Sequence, residues 1–180
     1  MSYKTYQTCY ITKSTGNILV PWISSEKSEW YQIHHGFHTG LDIEANEIYS
    51  WESGVVTQIG QSENNLYSVT VQYSGQISLR YMHLKSVYVN TSDVLFAGSF
   101  IGIADKHVHF ELLINDPNSS NWPVRIGTIT YYKHDPEDLF TGKILLNAND
   151  NAQCYSANYQ ESSLFQFDKF TGSEFSNNRG

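Results

Sequence analysis

The stretch "LYSVTVQYSGQISLRYMHL" (residues 66–84) contains two runs of β-branched and aromatic residues on either side of Ser74-Gly75. Runs of this composition, bounded by a turn that contains glycine and serine, are typical of two antiparallel strands joined by a tight connection. The stretch therefore predicts a β-hairpin, and it favours a fold built mostly from strands.

The same composition recurs along the chain in short segments that are separated by Gly, Asn and Ser. No stretch of twelve residues carries the apolar stripe of an amphipathic helix. We therefore predict a mainly β protein, an antiparallel β-sheet or β-sandwich domain with short loop or helical pieces at its ends. The further strand segments are "GVVTQIG" (54–60), "SVYVN" (86–90), "SFIGIA" (99–104) and "HVHFELLI" (107–114).

Length and charge limit the classes of protein to consider. A chain of 180 residues is long enough for one domain with a proper core, and 13 Tyr, 9 Phe and 4 Trp argue against a disordered chain. The net charge is −7, and the 11 Lys and Arg are scattered singly. Because no basic stripe exists to bind phosphates, we do not expect a nucleic-acid partner.

Targeting signals and cysteines give further expectations. The segment "MSYKTYQTCYITKSTGN" (1–17) is polar, so we expect no secretory signal. The run "VLFAGSFIGIA" (94–104) is too short to cross a bilayer, so we expect no membrane span. Cys9 and Cys154 are isolated from each other, and two buried free thiols are favoured over a disulfide that joins the two ends.

Three of the seven histidines lie in two short motifs, "HTGLDI" (38–43) and "HVHF" (107–110). On an extended strand the Cα atoms of His38 and Asp42 would lie about 13 Å apart, which is too far for bonds of about 2 Å to one metal ion. If both side chains are ligands, the chain must bend between them. We expect Gly40 to provide the bend, because glycine adopts unusual backbone conformations at the least cost.

His107 and His109 would project from the same face of a strand, about 6.6 Å apart. One of them can then bind an ion while the other stands beside it and handles protons. Two histidines and one aspartate leave the fourth zinc position for water, which is typical of a catalytic zinc site. The alternative is that the two histidines form only a cross-strand polar pair, and that His83 in "RYMHL" is an ordinary core or surface histidine.

Taken in order, "HTGLD" (38–42), "YMHL" (81–84) and "HVHFEL" (107–112) resemble the signature of the lysostaphin and LytM type of zinc peptidoglycan endopeptidases. The segments between them also resemble the family pattern: a Gly-Val-Val strand after the first motif and a hairpin that leads to the middle histidine. The Asp-Pro segment "HDPEDLF" (134–140) resembles the one that closes the family domain. The likeness extends over about residues 31–140.

This resemblance implies a zinc-dependent endopeptidase that hydrolyses peptide bonds of bacterial peptidoglycan, with a zinc site in a groove and one zinc ion per chain. It implies that His38, Asp42 and His109 are the zinc ligands. His83 and His107 would form the catalytic pair, in which one imidazole takes a proton from water and the other donates to the oxyanion. Which of the two is the general base stays open.

Two further residues are candidates for supporting roles. Tyr31 resembles the family tyrosine that precedes the first ligand and helps to hold the oxyanion, although its spacing from His38 differs by one residue. Glu111 shares a strand face with His107 and His109 and could order an imidazole. A plain ion pair or a position at the rim of the site is the alternative for Glu111.

The resemblance divides the chain into an N-terminal extension (1–30), the zinc endopeptidase domain (31–140) and a polar, Phe-containing C-terminal extension (141–180) that we expect to dock onto other proteins. Phage tails carry peptidases of this type, so we expect a virion-associated lysin that helps the tail to penetrate the cell wall. Its partners would be the peptidoglycan peptide and other tail proteins. The alternatives are a non-catalytic structural tail-tip module, and an extracellular or cell-envelope location with an export route not visible in the sequence.

One segment departs from the family pattern. A Gly- and Ser-rich loop usually precedes the His-x-His pair, whereas this chain has the short "IGIADKHVHF" (101–110). Because that loop lines the substrate groove in the family, the resemblance leaves the substrate preference open.

Overall fold

The computed structural model describes residues 5–7, 15–22, 38–119 and 121–140, which form eleven β-strands and one short helix. Every strand pairing among them is antiparallel, which confirms the mainly β prediction. The strands are β1 (Thr5–Gln7), β2 (Thr15–Val20), β3 (Leu41–Glu44), β4 (Glu47–Tyr49), β5 (Gly54–Gln61), β6 (Tyr67–Gln72), β7 (Ile77–Val87), β8 (Val94–Leu95), β9 (Phe100–Ile114), β10 (Pro123–Ile126) and β11 (Ile129–His134), and the helix is α1 (Glu137–Phe140).

The strands form an open sheet whose centre is the 15-residue strand β9. The order across the sheet is β1-β2-β3-β9-β7-β6-β5-β8, and β10 is attached through β11. Strand β7 pairs with β9 on one side, and β4, β3 and β11 pair with it in turn along the other side. Of the predicted alternatives, a β-sheet or a β-sandwich, the structure therefore has the open sheet.

The predicted hairpin is confirmed, but the strands that follow it have other bounds than predicted. Strands β6 and β7 pair, and the connection is closed by the backbone N–H of Tyr73, which donates to the carbonyl of Ile77 at 3.0 Å. Strand β7 continues to Val87, so residues 86–90 do not begin a separate strand. The segments 99–104 and 107–114 are likewise one strand, because the exposed polar pair Asp105-Lys106 continues β9 and does not form a turn.

The side chains of β9 point alternately into the hydrophobic core and to the opposite face of the sheet. Val108, Phe110 and Leu112 point into the main hydrophobic core, where Phe110 packs against Trp51 and Tyr81. The intervening side chains of β9, among them those of His107, His109 and Glu111, point to the other face. Polar residues of the two histidine motifs can therefore meet on that face.

Several predictions fall outside the described residues. Tyr31, Cys9 and Cys154 lie there, as do residues 141–180 and most of residues 1–30. The division of the chain at residues 31 and 140 stays a prediction. Within the described residues, no helix is long and apolar enough to cross a membrane.

A substitution at Gly102 tests how closely the central strands β7 and β9 pack. A Cβ atom at this position would clash with the backbone carbonyl oxygen of Ser86 on the neighbouring strand β7, and backbone cannot move aside cheaply. We therefore expect Gly102→Ala to destabilise the protein by about 1–3 kcal/mol, the usual cost of overpacking. Urea unfolding monitored by tryptophan fluorescence measures this change.

Gly75 provides the matched control, because a Cβ atom there meets no atom within 4 Å. Gly75→Ala should leave the free energy of unfolding within about 0.5 kcal/mol of the parent. Equal effects of the two substitutions would contradict the packing described for β7 and β9.

Candidate functional site

The pairing of three adjacent strands brings the site together. In the β3–β9 pair Asp42 lies directly opposite His109, and in the β7–β9 pair Met82 lies opposite the same histidine. Side chains of directly opposed residues lie on the same face with their Cβ atoms about 4.5–5.5 Å apart. The register alone therefore places a carboxylate beside the imidazole of His109.

A β-bulge at His83 turns this residue into the same face. The register of β7 against β9 shifts between Met82 and Leu84, and His83 has a left-handed backbone conformation with φ 64°. Tyr81 and Leu84 both lie in the core although they are three residues apart, so Met82 and His83 both face away from it. The extra residue thereby adds a second imidazole to the face that carries His109.

The first motif bends at Thr39, not at Gly40 as expected. Thr39 has φ 71°, and the backbone N–H of His38 donates to the carbonyl of Trp22 at 2.8 Å. Gly40 serves a different purpose, because a Cβ atom there would lie 2.6 Å from Nε2 of His109. The absence of a side chain at Gly40 lets the loop pass directly over the imidazole.

These elements bring the three predicted ligands together. Oδ1 of Asp42 lies 2.9 Å from Nδ1 of His109 and 3.3 Å from Nε2 of His38. One possible ligand atom from each of the three residues lies within 4.8 Å of those of the other two. Donor atoms around one tetrahedral zinc ion lie about 3.3 Å apart when each bond is about 2.0–2.1 Å long. The cluster therefore fits a zinc ion in both donor type and spacing.

The charges within the cluster favour an ionised carboxylate. Burial raises the pKa of Asp42, but hydrogen bonds and charges from His109 and His38 outweigh burial and hold the pKa below its ordinary value. For His109, burial lowers the pKa, and its contacts with Asp42 and Glu111 reverse that effect and raise the pKa above 6.5. Asp42 is therefore an anionic oxygen donor throughout the neutral range.

Glu111 lies behind His109 on the same strand face and is 1% exposed. Its Oε1 lies 3.2 Å from Nε2 of His109, and its Oε2 accepts a hydrogen bond from Nε of Arg80 at 2.6 Å. Nζ of Lys133 donates to Oε1 of Glu111 at 2.6 Å and to Oγ1 of Thr39 at 3.2 Å. These contacts reach His109 and the bend of the first motif from behind, on the side away from Asp42.

Each ring nitrogen of His109 faces an ionised carboxylate, Nδ1 that of Asp42 and Nε2 that of Glu111. Burial raises the pKa of Glu111, but the hydrogen bond with His109 and the charges of Arg80 and Lys133 outweigh it and lower the pKa well below 4.5. Both carboxylates can only accept, so in the absence of a metal each ring nitrogen of His109 faces an acceptor, which agrees with the raised pKa of the ring. A metal ion held by Nδ1 and Asp42 would leave Nε2 as the protonated nitrogen that donates to Glu111.

His83 and His107 lie on the other side of Asp42. Their rings are 5.0 Å apart, and Nε2 of His107 lies 3.5 Å from Oδ2 of Asp42. Burial, followed by the charges of the nearby histidines, lowers the pKa of His83 below 6.5. The lowered pKa favours the neutral form of His83, which is able to accept a proton.

Two depressions meet at Met82 and His83 and form one groove. One has a volume of about 400 Å³ and the other about 300 Å³. The larger depression is lined by His38, Thr39, Arg80, Met82, His83, His109, Glu111 and Lys133. The smaller depression is lined by Gly60, Gln61, Ser62, Asn64, Leu66, Tyr67, Ser68, Met82 and His83. Because Met82 and His83 line both depressions, the groove continues on both sides of His83.

The structure thus groups His38, Asp42, His83, His107 and His109, and adds Glu111 behind them; Tyr31 lies outside the described residues. Sequence reasoning missed Arg80 and Lys133. The role of Arg80 could have been predicted, because Arg80 lies opposite Glu111 once the hairpin is paired with β9. Lys133 had no such signal, because its strand was not predicted.

Comparisons with known proteins agree with this fold. The chain is similar to lysostaphin with a TM-score of 0.52 and 19% identity, covering 82% of this chain and 58% of that one. Its similarity to LytU has a TM-score of 0.50 and 21% identity, covering 66% and 80%. At these identities the likeness shows a shared fold.

A zinc-containing peptidase from Vibrio cholerae matches with a TM-score of 0.46 and 20% identity over 58% of this chain, which spans only 36% of that protein's length. A comparison with the curated proteins found no match. Residues 36–121 match the model of peptidase family M23. This segment of the chain is therefore similar to peptidase family M23.

Proposed function

We propose that this protein is a zinc-dependent endopeptidase that hydrolyses peptide bonds of bacterial peptidoglycan. The observation that carries the proposal is the arrangement around Asp42, which shares one group of possible ligands with His38 and His109 and another with His83 and His107. Such a division separates residues that hold a metal from residues that handle protons. The family M23 match over residues 36–121 supports a peptidase reaction.

His38, Asp42 and His109 would hold one zinc ion, leaving one tetrahedral position for water or substrate. When bound, zinc supplies a Lewis acid that polarises a carbonyl group and makes water more acidic. Glu111 orients the His109 ring by accepting from its Nε2–H, and Arg80 and Lys133 keep Glu111 ionised and fixed.

His83 and His107 would move the protons. A neutral imidazole takes a proton from the attacking water and later returns it to the leaving amine. The lowered pKa of His83 favours the neutral form that this role needs. The other imidazole, in its protonated form, can donate to the oxygen on which negative charge develops. Tyr31 remains our candidate for an additional donor to that oxygen.

We also propose that the protein acts in a phage virion and that residues 141–180 dock it onto other tail proteins. The support is composition: Phe165, Phe167, Phe170 and Phe175 lie among Asn, Ser and Asp. Aromatic side chains in such number are costly to leave in water, and a partner surface that covers them removes this cost. This proposal is independent of the zinc assignment.

A graded series of variants tests the metal assignment. His109→Ala should abolish tight zinc binding, because it removes a ligand. Glu111→Gln should weaken binding about 10–100-fold, because it removes only the charge that orients the ligand. His107→Ala should keep the tight zinc ion and lose cell-wall cleavage. Competition with a chelator measures zinc affinity, and zymography on purified cell wall measures cleavage.

Glu47→Gln is the matched control for Glu111→Gln. Glu47 accepts a hydrogen bond from the nearby hydroxyl of Tyr49 at 2.6 Å, and no residue of its strand β4 lines the groove. The substitution should leave zinc affinity and cleavage unchanged. Equal loss of zinc from the His107 and His109 variants would contradict the division of roles. Failure of the zinc-loaded parent to cleave cell wall would refute the proposed activity.

The pH dependence follows from the opposite pKa shifts of His109 and His83. As the pH falls, a proton competes with zinc for His109 first, because its pKa lies above 6.5, and His83 is protonated later, because its pKa lies below 6.5. When the free zinc concentration is buffered near the dissociation constant, the amount of bound zinc should therefore fall at a higher pH than the cleavage rate per zinc-loaded molecule does. Zinc content and cleavage rate, measured together from about pH 8 to pH 5, test this order. A cleavage rate per zinc-loaded molecule that already falls as the pH decreases from about 8 to 6.5 would contradict this order.

Deletion of residues 141–180 tests the docking proposal. The shortened protein should retain zinc and cleave cell wall in solution, yet fail to enter the virion. Mass spectrometry of purified particles measures incorporation. If the shortened protein folds and binds zinc but does not cleave, the segment belongs to the substrate groove, and the docking proposal is wrong.

A further inference from the structure

We propose that Arg80 and Lys133 bind a carboxylate of the substrate, so that the groove selects an anionic stem peptide over an uncharged cross-bridge. The inference rests on the proposed function and names the class of peptide that the groove receives. We call these two side chains the cationic wall, because both of them line the larger depression.

Fixed charges are distributed unevenly along the groove. The larger depression is lined by one acidic side chain, that of Glu111, and by the two basic side chains of Arg80 and Lys133. Among the described residues that line the smaller depression, none is Asp, Glu, Lys or Arg. One end of the groove therefore has a net positive charge and the other is polar but uncharged, in a chain whose net charge is −7.

The two cations are more accessible than the carboxylate that they contact. The side chain of Glu111 is 1% exposed, whereas that of Arg80 is 16% exposed and that of Lys133 is 14% exposed. A ligand that enters the depression therefore meets the two cations, while the balancing negative charge lies beneath them.

Both cations keep N–H donors that the described part of the chain does not use. A guanidinium group has five donors and an ammonium group has three. Arg80 directs Nε and Nη2 to Oε2 of Glu111, and Lys133 donates to Oε1 of Glu111 and to Oγ1 of Thr39. Nη1 of Arg80 and one N–H of Lys133 have no acceptor among the described residues. These donors can bind a ligand without breaking the contacts with Glu111.

The cationic wall lies next to the candidate zinc site. Nζ of Lys133 and Nε2 of His109 contact the same oxygen of Glu111, at 2.6 Å and 3.2 Å. The ammonium group is thus within two hydrogen-bond lengths of a candidate zinc ligand. An extended peptide advances about 3.3 Å per residue, so a carboxylate bound at the wall would lie within a few residues of the bond that is cleaved.

A carboxylate is the substrate group that fits these donors best. Its hydrogen bonds with guanidinium and ammonium groups are charge-assisted, and they are about twice as strong as those of a neutral acceptor. A stem peptide of peptidoglycan carries the free carboxylate of its γ-linked glutamate, whereas a cross-bridge made of glycine carries no charged side chain. The cationic wall therefore favours cleavage within or next to the stem peptide.

Binding of two peptides to the metal-free full-length protein tests the proposal without any cleavage. The first is the stem tetrapeptide L-alanyl-γ-D-glutamyl-L-lysyl-D-alanine with an amidated C-terminus, and its twin carries a carboxamide in place of the glutamate carboxylate. We expect the carboxylate peptide to bind about 10-fold more tightly in calorimetry, because hydrogen bonds between two charged groups are the stronger ones. This ratio should decrease as salt is added, since salt screens the attraction.

Substitutions that remove one positive charge separate recognition from a structural role. Arg80→Gln and Lys133→Gln should each bring the ratio of the two affinities close to one, with little change in the affinity for the carboxamide twin. Arg80→Lys should keep part of the preference, because lysine retains the charge but loses the planar fork. A purely structural role would instead weaken the binding of both peptides equally.

Arg125→Gln is the matched control for Arg80→Gln. Nε of Arg125 donates to the carbonyl of Gly127 at 3.2 Å, and Arg125 lines neither depression. This substitution should leave the ratio of the two affinities unchanged. Circular dichroism confirms that each variant is folded, and the comparison of the two peptides on the parent protein decides the question if a variant is not.

The possible outcomes separate this inference from the proposed function. Equal affinity of the parent for the two peptides would overturn the cationic wall as a carboxylate site, and so would a preference that persists in both glutamine variants. If such a parent still cleaves purified cell wall in zymography, the proposed function stands. A zinc-loaded parent that prefers the carboxylate peptide but cleaves no cell wall would refute the proposed function and support the carboxylate site.

Discussion

The site depends on the register of β9 between β3 and β7. Asp42 and Met82 flank His109 from opposite sides, and the bulge that follows Met82 adds His83. Side chains alternate between the two faces of a strand, so a slip of one residue would send His109 and Glu111 into the core and Phe110 into the groove. The cost of burying those polar groups fixes the register. The hydrophobic core therefore specifies the positions of the polar cluster on the opposite face.

Two carboxylates then give His109 a defined orientation. Asp42 contacts Nδ1, Glu111 contacts Nε2, and the cations of Arg80 and Lys133 balance Glu111. Burying this much charge is costly unless every group is paired. The pairing makes the ring rigid, which favours metal binding because no side-chain freedom is lost when the ion enters. The network of charges around His109 therefore orients the ring for metal binding.

The sequence predicted the hairpin and the antiparallel class, because both leave a local signature of alternating apolar residues. The set of residues found clustered followed from the resemblance of the three histidine motifs to a known family. It did not predict the bend at Thr39, the bulge at His83 or the continuity of β9 through Asp105 and Lys106. These features are imposed by pairing with distant strands, and local propensity does not contain that information. The contacts of Lys133 with Glu111 and Thr39 arise in the same way, since the three residues are distant in sequence.

The orientation of the His109 imidazole in the zinc-loaded protein is the most direct test of these conclusions. Nitrogen-15 NMR of the histidine side chains distinguishes a protonated ring nitrogen from one that is bound to metal. We predict that addition of one zinc equivalent leaves Nε2 of His109 protonated and binds the metal through Nδ1. A zinc-bound Nε2, or a His109 ring whose signals do not change when zinc is added, would contradict the proposed role of Glu111 and the assignment of His109 as a ligand.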